Sequence, residues 1–187
     1  MPGSTPVYNL PYQTAGDPPN GPSLGQDLAE AVEEQLVRID TTVQPVDAYQ
    51  AANDTTTSTS YFAGTTHGTA FTAPPSGKVY ITVGGALGTN SVVVNVGAWM
   101  SFEVRAGGTV GSGSLVLGAA DSRSTGPFRP NSAAAGYKYA PASLRLLVSG
   151  LTPGNTYNVR TLFRSDDGGA SAAVHHRQLL VEPVMGA

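Results

Sequence analysis

From Val79 to Pro183 the apolar positions recur at every second residue. Val79, Ile81 and Val83 alternate with Lys78, Tyr80 and Thr82, and Met100, Phe102 and Val104 alternate with Ser101, Glu103 and Arg105. Leu144, Leu146 and Val148 stand on either side of Arg145 and Leu147, and shorter runs carry Val92, Val94 and Val96, then Leu115 and Leu117, then Tyr157, Val159 and Thr161. A last strand is expected from Ala173 to Glu182, stopped by Pro183. Period two puts one face of a strand in a core and the other in water. The runs are broken by Pro74-Pro75-Ser76-Gly77, by the glycine-rich stretch Gly107 to Gly113, and by Asp166-Asp167-Gly168-Gly169, which reads as a hairpin turn. Short strands so punctuated predict an antiparallel sandwich or barrel, with strand order left open.

Ahead of this region the period changes. Ala29, Val32, Leu36, Ile39 and Val43 lie three, four, three and four residues apart, a heptad-like seam that Leu24 and Leu28 widen at its start. Ser23 with Gln26 fits a capping box, Asp27 and Glu30 come early and Arg38 late, and Pro45 stops the helix, which is expected over 23–44. Two readings fit such a helix: one packed on its own β domain, or a short parallel coiled coil that sets the oligomeric state. Its flanks favour a stalk. Residues 1–22 hold six of the fourteen prolines and read as an extended arm, and the Thr/Ser-rich stretch over 45–60 reads as a linker to a β head over 61–187. Val7, Tyr8, Leu10 and Tyr12 are too apolar for a purely solvated arm, so they either fold back or dock on another protein; docking is the favoured reading. The expected fold is mainly β: arm, short helix as a possible trimeric coiled coil, then an antiparallel β-sandwich.

Composition narrows the function. Only 12% of the 187 residues are charged, while 23 Gly, 14 Pro, 16 Ser and 19 Thr suit turns and short strands better than a helix-rich enzyme. The chain has no cysteine, which excludes disulfides, thiolate metal sites and cysteine nucleophiles. Residues 1–54 carry eight acids against one base, residues 55–187 five acids against nine scattered bases. Bases that never form a run argue against nucleic-acid binding. No apolar run reaches 18 residues and the N-terminus has neither a basic nor an apolar signal region, so neither membrane insertion nor a secretory leader is expected.

Catalytic chemistry finds little support. His67, His175 and His176 are the only histidines, and on a regular strand His175 and His176 point to opposite faces, so they would not chelate together. Asp166 and Asp167 lack the remaining ligands of a calcium loop, and Gly111-Ser112-Gly113 is neither a nucleophile elbow nor a phosphate loop. Glu103 and Glu182 would need the fold to bring them together. The expectation is no enzyme, no cofactor and no metal.

Two stretches resemble known families. Gly150-Leu-Thr-Pro-Gly-Asn-Thr-Tyr157 is similar to the E–F corner of fibronectin type III domains, which implies a structural role for Tyr157, its hydroxyl bonded to backbone near Leu151 to Gly154. Tyr8-Asn-Leu-Pro-Tyr12 with Asp17-Pro-Pro, Leu28-Ala-Glu-Ala-Val32, Phe71-Thr-Ala-Pro-Pro-Ser-Gly-Lys-Val79 and Arg177-Gln-Leu-Leu-Val-Glu-Pro183 resemble, in that order, minor tail proteins and fibres of actinobacterial phages. The order arm, helix, sandwich is similar to trimeric virion fibres and decoration proteins with C1q- or TNF-like heads. This resemblance implies a homotrimer located in the virion, in the tail first and the capsid as alternative. Other virion proteins would hold the arm, and a host-surface glycan is a candidate partner of the head. Arg123, Phe128 and Arg129, in the polar segment 121–136, are the candidate surface-binding loop, with an ordinary crossover as the plain alternative. A carbohydrate-binding sandwich module is the third reading; it asks for an exposed aromatic platform, for which Tyr137 and Tyr139 are the candidate pair.

Overall fold

The computed structural model describes residues 3–4, 11–12, 21–90, 96–128 and 138–184. They divide into two units, Met1–Gln44 and Pro45–Ala187.

In the first unit β1 (Gly3–Ser4) and β2 (Pro11–Tyr12) form a minimal antiparallel pair, a small regular element within the expected arm. Helix α1 spans Gly21–Val43 and so starts two residues before the predicted cap at Ser23. Proline explains the shift: at the second position of the helix Pro22 lacks only an N–H that has no partner there, and its fixed φ is already helical. The earlier start also removes the expected dipole pattern, since the first turn holds no acid and the last no base. The end at Val43 follows from Pro45, which disfavours helical geometry in the residue before it.

The second unit is a sandwich of two antiparallel sheets. Its strands are β3 (Val46–Gln50), β4 (Asp54–Thr56), β5 (Gly68–Thr72), β6 (Val79–Thr89), β7 (Ala98–Ala106), β8 (Leu115–Leu117), β9 (Lys138–Val148), β10 (Thr156–Ser165) and β11 (Ala172–Pro183). One sheet runs β3-β11-β6-β9, with β4 also paired to β11; the other runs β5-β10-β7-β8. Each of the eight strands on these paths keeps the place of a two-sheet jelly roll, in which the chain crosses between sheets at nearly every connection. This order corrects the fibronectin-like alternative, whose seven strands are wound differently. It also corrects the hairpin expected at Asp166-Asp167-Gly168-Gly169. The turn forms, with Ala170 N–H donating to the Asp167 carbonyl at 3.1 Å and Gly169 N–H to Asp167 Oδ1 at 2.9 Å, but it joins β10 of one sheet to β11 of the other. Turn residues specify a local reversal and say nothing about which strand lies next door.

The linker expected over 45–60 is corrected as well: it carries β3 and β4 on the edge of a sheet. Val46 and Ala48 pack against the core, and threonines suit a pleated edge. Asp54 is held there by the guanidinium of Arg177, a fully buried side chain that also donates to the carbonyls of Ala63 (3.3 Å) and Thr65 (3.1 Å).

Between the sheets the alternation read from the sequence is realised. Val79, Ile81 and Val83 of β6, with Leu179 and Val181 of the neighbouring β11, face Phe102 and Val104 of β7, all at most 1% exposed. A second cluster gathers Leu87, Ala98, Met100, Phe163, Ala172 and Val174. Each such aliphatic or aromatic side chain contributes about 1.5–3 kcal/mol on burial. Val96 is buried just before β7, whereas Val92 and Val94 lie outside the described residues. No helix among the described residues is long and apolar enough to cross a membrane.

Candidate binding surface

The residues singled out in the sequence meet different fates. Val7, Tyr8 and Leu10 lie outside the described residues, and of Tyr12 only the backbone, in β2, is described. The helical seam exposes Leu28, Val32 and Leu36, at 41%, 38% and 60%, and Ala29 with them; Ile39 and Val43 belong to α1, with side chains outside the described set.

The loop residues turn inward. Arg123 donates from Nη2 and Nε to the Gly118 carbonyl at 2.7 and 3.3 Å, while Phe128 bridges to Ala98 and packs on the second core cluster. Ser101 Oγ donates to the Arg123 carbonyl at 2.6 Å and clamps the segment onto the outer face of β7. Both side chains serve the loop's own docking, the ordinary crossover; Arg129 and Tyr137 lie outside the described residues. Tyr157 makes the corner: its ring is buried and stacks on Phe71, and its hydroxyl accepts the Thr152 N–H at 3.0 Å.

The acidic pair does not meet. Glu103 faces outward from the β5-β10-β7-β8 sheet and accepts from Arg105 Nε (2.7 Å) and Arg160 Nε (2.6 Å), whereas Glu182 sits on the other sheet with Arg145 at 3.1 Å. Burial alone would raise the Glu103 carboxyl, but the bonds from Arg105 and Arg160 outweigh it and hold the group below its usual range. Nearby, Arg164 bonds Asp121 and Asp166, lies over the rings of Trp99 and Tyr61, and Trp99 Nε1–H also donates to Asp166. Burial first, and Asp121 second, push the Tyr61 phenol up to about 12. The charges of this face are tied to one another in a structural lattice.

The other outward face is different. At β11 the register shifts between His175 and Gln178, and His176 takes a positive φ of 51°. This bulge breaks the expected alternation. Val174 and Arg177 point inward, and both histidines come out on the same side, their ring centroids 4.6 Å apart. Gly85 makes it possible, since a Cβ there would press on the His175 carbonyl at 3.2 Å. The two rings extend into a row of four. Tyr49 of β3 stacks on His176 at 6.3 Å with its hydroxyl 2.7 Å from Nδ1, and Tyr139 of β9 meets His175 edge-on at 4.4 Å, lying over Gly88. Burial, then the neighbouring His176, hold the His175 imidazole below its usual 6.5.

Beside the row, Tyr49, Gln178, Gly84 and Ser143 stand opposite one another across β3, β11, β6 and β9. Two adjoining hollows of about 420 and 450 Å³ share Gly84, Ser143 and Gln178; His176 walls one and Tyr49 the other. Tyr49 is 59% exposed. Sequence reading missed Tyr49 and placed the histidines apart. The signal that was available is the Gly84-Gly85 pair inside an otherwise β-branched strand, which marks a bulge or a close approach.

No protein-family model matches this chain, and no curated protein does. Among solved structures it is similar to a chain from the infectious bursal disease virus Gx strain, at 11% identity and a TM-score of 0.39, covering 74% of this chain and 31% of that one. It is similar also to the CBM36-1 domain of a multidomain xylanase from the hindgut metagenome of Trinervitermes trinervoides, at 12% identity and a TM-score of 0.30, covering 77% of this chain and 100% of that domain. A pentameric capsid protein isolated from metagenomic phage sequences aligns at 15% identity and a TM-score of 0.25, covering 93% and 83% of the two chains. This chain thus spans less than a third of the bursal disease virus chain.

Proposed function

We propose that this chain is a non-catalytic virion protein, a minor tail or tail-fibre component that associates through α1, attaches by the arm over 1–22 and presents the jelly roll to a host surface. The observation that carries the reading is the apolar stripe of Leu28, Val32 and Leu36, exposed on a 23-residue helix that precedes the head. An isolated helix with such a stripe is marginal in water, and a partner helix is the plain way to cover it. The trimeric state, and the tail in preference to a capsid decoration protein or head fibre, follow from the family resemblance of the arm, the helix start and the sandwich boundaries. Electron microscopy of intact particles with labelled protein tests the location: density on the tail supports the reading, and density spread over the shell favours decoration. Deleting residues 1–22 is expected to leave oligomer and head intact while abolishing incorporation into particles. Normal incorporation of the truncated chain would move the attachment surface elsewhere.

A further inference from the structure

We infer that the hollows beside the aromatic row form a binding site for a neutral saccharide, with Tyr49 as the stacking platform and Gln178 and Ser143 as hydrogen-bonding groups on its floor. The inference gives the host-surface contact proposed above a place and a ligand class, and rests on that reading for its biological setting.

Three observations lead to a sugar. First, the lining is electrically quiet: apart from the His176 imidazole, which bonds the Tyr49 hydroxyl, Asp47 alone of the residues around the two hollows is a charged type, so no Lys or Arg is offered to an anionic ligand. The nearby Arg145 is committed to Glu182 and to the Tyr80 ring. Second, the polar groups are an amide, hydroxyls and a carboxylate, the set that pairs with sugar hydroxyls in both directions. Third, Tyr49 is rigidly presented. Its hydroxyl is bonded to His176 and its ring stacked on that imidazole, so the exposed aromatic surface needs no reordering to receive the C–H face of a pyranose, whose partial positive charge suits the negative face of a π system. A peptide adding a strand would pair at the outer edge of β3 or β9, whereas the floor shared by the two hollows, Gly84 and Gln178, lies on β6 and β11, strands already bonded on both sides. Gly84 is what makes the surface concave. It occupies an outward position in a central strand and leaves an opening where every other residue would place a side chain.

Gly84 also supplies the test. A Cβ built there meets nothing closer than the Ala142 carbonyl at 3.5 Å, so Gly84→Val should fold normally while filling the hollow. The full chain is run by affinity electrophoresis in gels containing mannan, arabinogalactan, xylan or mixed-linkage β-glucan. At least one polysaccharide is expected to retard the protein, with Gly84→Val and Tyr49→Ala each weakening the interaction by about tenfold or more, the loss typical of a central aromatic contact. Arg123→Ala, remote from the face, is expected to bind as the parent does. Retardation by none of the four polysaccharides overturns the inference. So does retardation that both groove variants retain, and so does a change in sedimentation coefficient on Gly84→Val, which would make this face a contact between copies. Retention in the variants leaves the virion reading standing. Loss in the variants of a protein found on no particle surface would remove that reading and leave the groove.

Discussion

Tyr157 shows how much a single residue can be read in advance and how far the reading reaches. The resemblance of Gly150 to Tyr157 to a fibronectin type III corner implies that the hydroxyl bonds to the backbone of that corner, and the Thr152 N–H is the group it takes. Thr152 itself is exposed, so in Tyr157→Phe water can reach the freed N–H. The expected cost is therefore about 1 kcal/mol, the low end for a lost partner. Tyr157→Ala would add the cavity beside Phe71 and cost about 3–5 kcal/mol. Urea unfolding of the full chain measures both, and a phenylalanine variant as stable as the parent would mean that the bond contributes nothing. His175 and His176 teach the opposite lesson. Their opposition was inferred from strict alternation, and one bulge reverses it.

Among the elements, the helix and the edge strands depart from expectation for reasons that are local and physical. The start of α1 is decided by Pro22, whose missing N–H and fixed φ outweigh the four-residue capping box that begins at Ser23. Strand β4 is hidden in the sequence by its threonines, and β3 by the shortness of its apolar pattern. Asp54 is tied into the sandwich by partners distant in sequence: β4 pairs with β11, and Arg177, over a hundred residues later, enters the core beside its carboxylate. Val32 and Leu36 belong to the exposed stripe of α1, so replacing both with Asp removes little packing from the chain itself. The expected result in sedimentation velocity is a change from trimer to monomer, with the urea midpoint of the head unchanged. A parent chain that is monomeric at micromolar concentration would count against α1 as an association element.

At the scale of the whole molecule, the two sheets are pinned together around His67, which is 3% exposed. Its Nε2–H donates to the Ala48 carbonyl on β3 at 3.1 Å, and its Nδ1 accepts from the Thr161 hydroxyl on β10 at 3.0 Å, so the neutral ring ties one sheet to the other. Burial is the main reason its pKa lies below 6.5, and Arg177 lowers it further, against the opposing effect of the Ala48 carbonyl. A folded pKa below the unfolded value means that the unfolded chain takes up the proton first. The stability is full above about pH 6.5 and is lost as pH falls through the folded value. The urea midpoint should drop between pH 7.5 and pH 5, and the drop should shrink in His67→Gln, which separates this group from His175 in the same window. An equal drop in both proteins would assign the effect elsewhere. The sequence by itself determined the strand-rich class, the inward faces of β6, β7, β9 and β10, and the helix, because alternation, proline positions and turn chemistry act over a few residues. Only the tertiary structure decided the jelly-roll order, the burial of Arg177 against Asp54, and the aromatic row of Tyr49, His176, His175 and Tyr139. Those depend on which distant strands pair, and in what register, and pairing is settled by the collective packing of two sheets.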